Sequence, residues 1–169
     1  PAGEYSFKAV VTENREKKEL VTSVRVLETA LPAQSLIHIN WFHTDCLASL
    51  YKVKMYSKKH WEIIENFMKC AIENGVNSIY TPIFSIPLDT NPGVKRPACQ
   101  LVDITVSDGE YILDFTKLKK WISIFKKYGG SYLAMSHLFS QWGAKFAPRI
   151  VATVNGRKKE IFGWHTPNN

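Results

Sequence analysis

Residues 57–84 read SKKHWEIIENFMKCAIENGVNSIYTPIF, and this stretch decides the fold. Ser57 offers a side-chain oxygen that can cap the free N–H groups of a helix start. Trp61, Ile64, Met68, Ala71 and Ile72 then recur at helical spacing, and Gly75 stands where a helix usually ends. Ser78 to Phe84 follows as an apolar strand, stopped by the prolines at 82 and 87. Downstream the same order repeats. Asp114 can cap a helix through Tyr128 with Phe115, Leu118, Ile122 and Phe125 on one face, Gly129-Gly130 as its stop, and Ser131 to Phe139 as the next strand. Upstream, Leu36 to Phe42 is a short apolar strand. Strand, helix, strand, helix, strand is the alternation that implies parallel strands with helices packed outside.

Two hairpins decorate this frame. Asp108-Gly109 joins Leu101–Val106 to Tyr111–Phe115, and Asn155-Gly156 joins Ile150–Val154 to Lys158–Phe162. Both dipeptides favour a type I′ turn, because both central residues there need a positive φ. The segment before the frame differs in kind. Tyr5 to Val11 and Leu20 to Leu27 are β-rich runs around the charged turn Glu13 to Lys18. A two-stranded hairpin is at best marginal in water. Residues 1–29 therefore read as the end of a β-sandwich, and residues 30–169 as the first part of a barrel.

Composition fits a packed domain. Hydrophobic residues are 45% and charged residues 22%, both near the globular average. No apolar run approaches the ~20 residues a membrane-spanning helix needs, so no membrane role is expected. No charged leader followed by an apolar stretch is present. The net charge of +7 raises a nucleic-acid reading, but only five of the 22 basic residues are arginine and they lie in short runs. Lysines on solvated helix faces and hairpin tips explain them, so nucleic acid is not expected as a partner. Cys46, Cys70 and Cys99 form no CxxC pair, which argues against a disulfide framework and leans toward a reducing compartment. Cys70 falls on the apolar side of the first helix, where a buried, inert thiol is expected.

Parallel barrels place their chemistry at the C-terminal ends of strands. Here those ends carry Trp41-Phe42-His43-Thr44-Asp45, then Tyr80-Thr81-Pro82 with Asp89 in the following loop, then Ser136-His137 with Gln141-Trp142-Gly143. Hydroxyls need hydrogen-bond partners and the C–H face of a sugar ring stacks on aromatics, so this mixture suits a carbohydrate. Singly, each residue has a plainer explanation. Trp41 can be a core aromatic, His43 and His137 satisfied structural histidines, and Asp45 and Asp89 caps of helices or turns. His38 and His60 are expected to be structural, and Trp61 and Trp121 to be core. The five histidines are widely spread and form no HxH or HExxH pattern, so neither a metal nor another cofactor is expected. GxSxG, GxGxxG and Walker A patterns are also absent.

At these strand ends the chain resembles glycoside hydrolase family 123. The stretches that carry the likeness are Ile39 to Cys46, Thr81 to Thr90, Gln100 to Asp103, Ser136 to Lys145, and Ile161 to Trp164. The resemblance implies a partial (β/α)8 barrel, its first three β/α units carrying inserted hairpins and preceded by a β-sandwich remnant. It also implies retaining hydrolysis of β-linked N-acetylgalactosamine, with the substrate's own acetamide oxygen as nucleophile. An Asp orients the acetamide, and the neighbouring Glu protonates the leaving oxygen and needs a raised pKa to do so. No Asp-Glu dipeptide occurs in these 169 residues. A full barrel takes about 250 residues and eight strands, so the expectation is a fragment whose catalytic pair lies downstream of residue 169.

His43, Asp45, Thr81, Asp89, His137 and Trp142 are the expected substrate-binding residues, with Trp142 as a stacking platform and an N-acetylhexosaminide as ligand. A non-catalytic carbohydrate-binding or assembly module is the alternative; a basic nucleic-acid binder ranks below both. Open strand edges further predict a homo-oligomer or a strand-swapped dimer.

Overall fold

The structure, a computed structural model, describes residues 1–86, 94–139 and 143–167. The chain divides into two compact units, Pro1–Ser35 and Leu36–Asn169. The first is a hairpin of β1 (Gly3–Glu13) and β2 (Glu16–Val26), paired antiparallel throughout. Asn14 and Arg15 turn it with φ values of 49° and 69°, a two-residue turn tighter than the whole charged run. Alternation puts Tyr5, Phe7, Ala9 and Val11 on one face with Leu20, Val24 and Val26, while Lys8, Glu19 and Arg25 share the other. Both faces are exposed.

The second unit holds β3 (Ile39–Asn40), α1 (Thr44–Leu50), α2 (Lys58–Glu73), β4 (Ser78–Thr81), β5 (Asp103–Ser107), β6 (Glu110–Asp114), α3 (Thr116–Lys127), β7 (Tyr132–Met135), β8 (Ile150–Val154) and β9 (Arg157–Phe162). Strands β3, β4 and β7 form a parallel sheet with β4 in the middle. Asn77 staples its lower edge. Its Oδ1 accepts from the His38 N–H at 2.8 Å and its Nδ2 donates to the Leu36 carbonyl at 2.9 Å. The Asn77 carbonyl accepts from the N–H groups of Ser131 and Tyr132. One side chain and one carbonyl thus set three strand starts side by side.

Helix α2 begins where expected, with the Ser57 side chain accepting from the His60 N–H. Helix α3 starts later than its sequence suggests. Asp114 Oδ1 accepts from the N–H and hydroxyl of Thr116, and Phe115 stays outside the helix and exposed. Trp61, Ile64 and Met68 of α2 pack with Trp121, Ile124 and Phe125 of α3 and with Ile79 of β4. Cys70 does not join them: it is exposed, because two residues beyond Met68 turn it about 200° from the buried stripe. Helix α1 carries no long apolar stripe, and the sequence did not announce it.

The two hairpins form as their Asp-Gly and Asn-Gly pairs require, with φ of 52° and 82° at Asp108 and Gly109, and 49° and 75° at Asn155 and Gly156. They also join, which local patterns do not reveal. Strand β5 pairs in parallel with β8 to give a four-stranded sheet ordered β6-β5-β8-β9. Gln100 locks the seam: its Nε2 donates to the Val102 and Val151 carbonyls and its Oε1 accepts from the Val151 N–H, all at 2.8 Å.

Candidate functional site

In β4, successive side chains point to opposite faces, and this sorts the strand-end residues. Ile79 and Thr81 turn toward the helices. Thr81 is fully buried there, its hydroxyl donating to the Ile79 carbonyl at 3.2 Å and accepting from the Trp121 indole N–H at 3.3 Å. Tyr80, between them, turns to the other face and is buried there too, at 2% exposure, packed with Met55, Ile86 and Cys99. Its ring stacks on His137 with centroids 6.0 Å apart, and its hydroxyl lies 3.2 Å from His137 Nδ1. Burial raises the pKa of the Tyr80 phenol, so it keeps its proton and acts as a hydrogen-bonding group.

Two more rings complete a cluster. Trp41 sits 6.0 Å from Tyr80 and 6.3 Å from His137, and is 54% exposed although it is large and apolar. His43 lies edge-on to Tyr80 at 6.3 Å. Trp41 and His43 follow β3, Tyr80 lies in β4, and His137 follows β7. The ends of three parallel strands therefore bring an indole, a phenol and two imidazoles together, with the Trp41 and His137 rings exposed and the Tyr80 phenol buried. Tyr80 was not among the residues expected from sequence; the period-2 alternation of its strand is the signal that would have picked it over Thr81.

Asp45 takes a different place. In the first turn of α1 its carboxylate is buried and accepts from Arg96, Nε to Oδ2 at 2.8 Å and Nη2 to Oδ1 at 3.0 Å. Burial opposes the Arg96 charge, but the Asp45 carboxylate outweighs it and the guanidinium pKa is raised. Arg96 Nη2 also lies 3.2 Å from His43 Nδ1 and 3.2 Å from Cys46 Sγ. Arg96 stands in a segment without helix or strand, where no periodicity could flag it. Asp89 and Trp142 lie outside the described residues.

Two further buried titratable groups, His60 and Cys99, are held inside the fold. His60 is fully buried, with Nδ1 accepting from the Tyr56 N–H at 2.9 Å and Nε2 at 3.0 Å from the Thr44 carbonyl, which fixes it as the neutral Nε2–H form. Burial pushes the Cys99 thiol up to about 12, so it does not serve as a thiolate. Among the described residues no group of three or more His, Cys, Asp or Glu side chains could hold a metal ion. No described helix is long and apolar enough to cross a membrane. Lysines at 8, 59, 69, 95, 117 and 127 each pair with a carboxylate.

The fold and the strand-end cluster define a mixed α/β domain with a polar, aromatic site at the tips of parallel strands. The model of the glycoside hydrolase 123 catalytic domain matches residues 41–169, and the chain belongs to this family. Among solved structures it is similar to a family 123 glycoside hydrolase from Clostridium perfringens, described in terms of glycolipid glycan hydrolysis. That likeness has a TM-score of 0.69 at 17% identity and covers 96% of this chain. The chain spans 30% of the length of that structure. No curated protein matches it.

Proposed function

We propose that these residues form the sugar-positioning part of a β-N-acetylhexosaminidase site, built on the first three strands of a (β/α)8 barrel. The observation that carries this reading is the convergence of Trp41, His43, Tyr80 and His137 at three strand ends. The exposed Trp41 indole and His137 imidazole offer a face for the C–H side of a pyranose and a partner for its hydroxyls, with the buried Tyr80 hydroxyl holding His137. Family membership supports a glycoside as ligand. The substrate preference, β-linked N-acetylgalactosamine, and substrate-assisted hydrolysis come from the family resemblance. The resemblance implies an Asp-Glu catalytic pair, and since no Asp-Glu dipeptide occurs in the sequence this chain is read as lacking the acid.

Calorimetric titration with methyl β-N-acetylgalactosaminide tests the reading. Binding should weaken at least about tenfold, about 1.4 kcal/mol, on Trp41→Ala, with little change in melting temperature since Trp41 is half exposed. Unchanged affinity would remove Trp41 from the site. An aryl N-acetylgalactosaminide should be left intact by this chain, and turnover that survives rigorous purification would show that an acid is present after all.

A further inference from the structure

Arg96 is 10% exposed at its side chain although its segment has no regular structure, and it is held from two sides. Its planar fork grips the two oxygens of Asp45. Its carbonyl accepts from Arg149 Nη1 at 2.8 Å, while Arg149 Nε and Lys95 Nζ both donate to Glu160 Oε2 at 3.0 Å. Burial opposes the Glu160 charge, but hydrogen bonds from Lys95 and Arg149, with their positive charges, together outweigh it and lower its pKa, so this anchor stays ionised. Arg96 is therefore fixed on α1 by its guanidinium and, through its carbonyl and Arg149, is linked to Glu160 of β9.

From that position Nη2 reaches His43 Nδ1 at 3.2 Å. A guanidinium only donates, so the imidazole nitrogen facing it must carry a lone pair. We infer that Arg96 is a positioning residue for the strand-end surface, holding His43 as the tautomer with its proton on Nε2 and its ring edge-on to Tyr80. This deepens the sugar-site reading and rests on it for its functional consequence. The tautomer itself does not depend on any sugar.

Long-range 1H–15N correlation of the histidine side chains, without ligand, reads the tautomer. The expected spectrum of the unaltered chain has a pyrrole-type Nε2 and a pyridine-type Nδ1 at His43. A protonated Nδ1 there overturns the inference, whatever the variants do. Arg96→Met should convert His43 to a mixture of tautomers and leave His60 unchanged, whereas Arg96→Lys, which keeps a donor, should restore much of the Nε2–H signal. An unaltered His43 spectrum in a folded Arg96→Met chain also overturns it. Sugar affinity is read separately: a tautomer change in Arg96→Met with at least about a tenfold affinity loss supports both readings. The same tautomer change with full affinity supports the Arg96–His43 coupling and counts against His43 in the sugar site.

Discussion

Asp45 and Arg96 illustrate how one contact can be costly to halve. Their side chains are 4% and 10% exposed, so each charge depends on the other for compensation. Asp45→Asn should destabilise the chain by about 3–5 kcal/mol, measured by urea unfolding. The Asp45→Asn, Arg96→Met double variant should recover part of that loss, since it leaves no buried charge unpaired. His60 gives a pH dependence. Burial lowers its pKa from 6.5, with the hydrogen bond to the Thr44 carbonyl opposing that shift only in part. The folded state thus resists a proton that the unfolded state accepts below about 6.5. Its contribution is complete above that pH and is lost as the pH falls toward the folded-state value. Unfolding midpoints should drop over that interval, and His60→Gln should flatten the decline.

At the scale of elements, what could be read from sequence was local. The Asp108-Gly109 and Asn155-Gly156 turns follow from the φ values those residues tolerate, and α2 and α3 follow from apolar spacing. The parallel order of β3, β4 and β7 follows from their alternation with helices. The pairing of β5 with β8 did not follow, because it joins residues nearly fifty positions apart through Gln100. Nor did α1, which is seven residues long and held by Leu47 and Ala48 in the core. Trp41, His43 and His137 of the candidate cluster were legible in the sequence, since they stand at strand ends. Tyr80 is marked only by the facing of its strand, and Arg96 lies in irregular chain that no periodicity marks. Asn77 is the element-level residue with the widest reach. Asn77→Ala should cost about 1–3 kcal/mol by removing its bonds to Leu36 and His38, and hydrogen exchange should speed up first at the N–H of His38.

At the scale of the molecule, the two units face the same difficulty. Among the described residues the parallel sheet ends on β3 and β7, and the β1–β2 hairpin carries an apolar face with Phe7 at 55% and Leu20 at 51% exposure. An amphipathic hairpin and open strand edges are templates for association. The chain should self-associate at micromolar concentration, and sedimentation velocity should show mass rising with concentration. Phe7→Lys with Leu20→Lys should shift that distribution toward the monomer, and a wild-type chain that stays monomeric would contradict the expectation. On the proposed reading, three strand ends share one sugar-binding surface. A 1H–15N spectrum titrated with methyl β-N-acetylgalactosaminide, supplemented by ring-proton spectra, tests it most directly. The Trp41 indole N–H should move together with the ring signals of Tyr80 and His137, while Trp61 and Trp121 stay still. Shifts confined to the four-stranded sheet, or no shift at any ring of the cluster, would contradict the account.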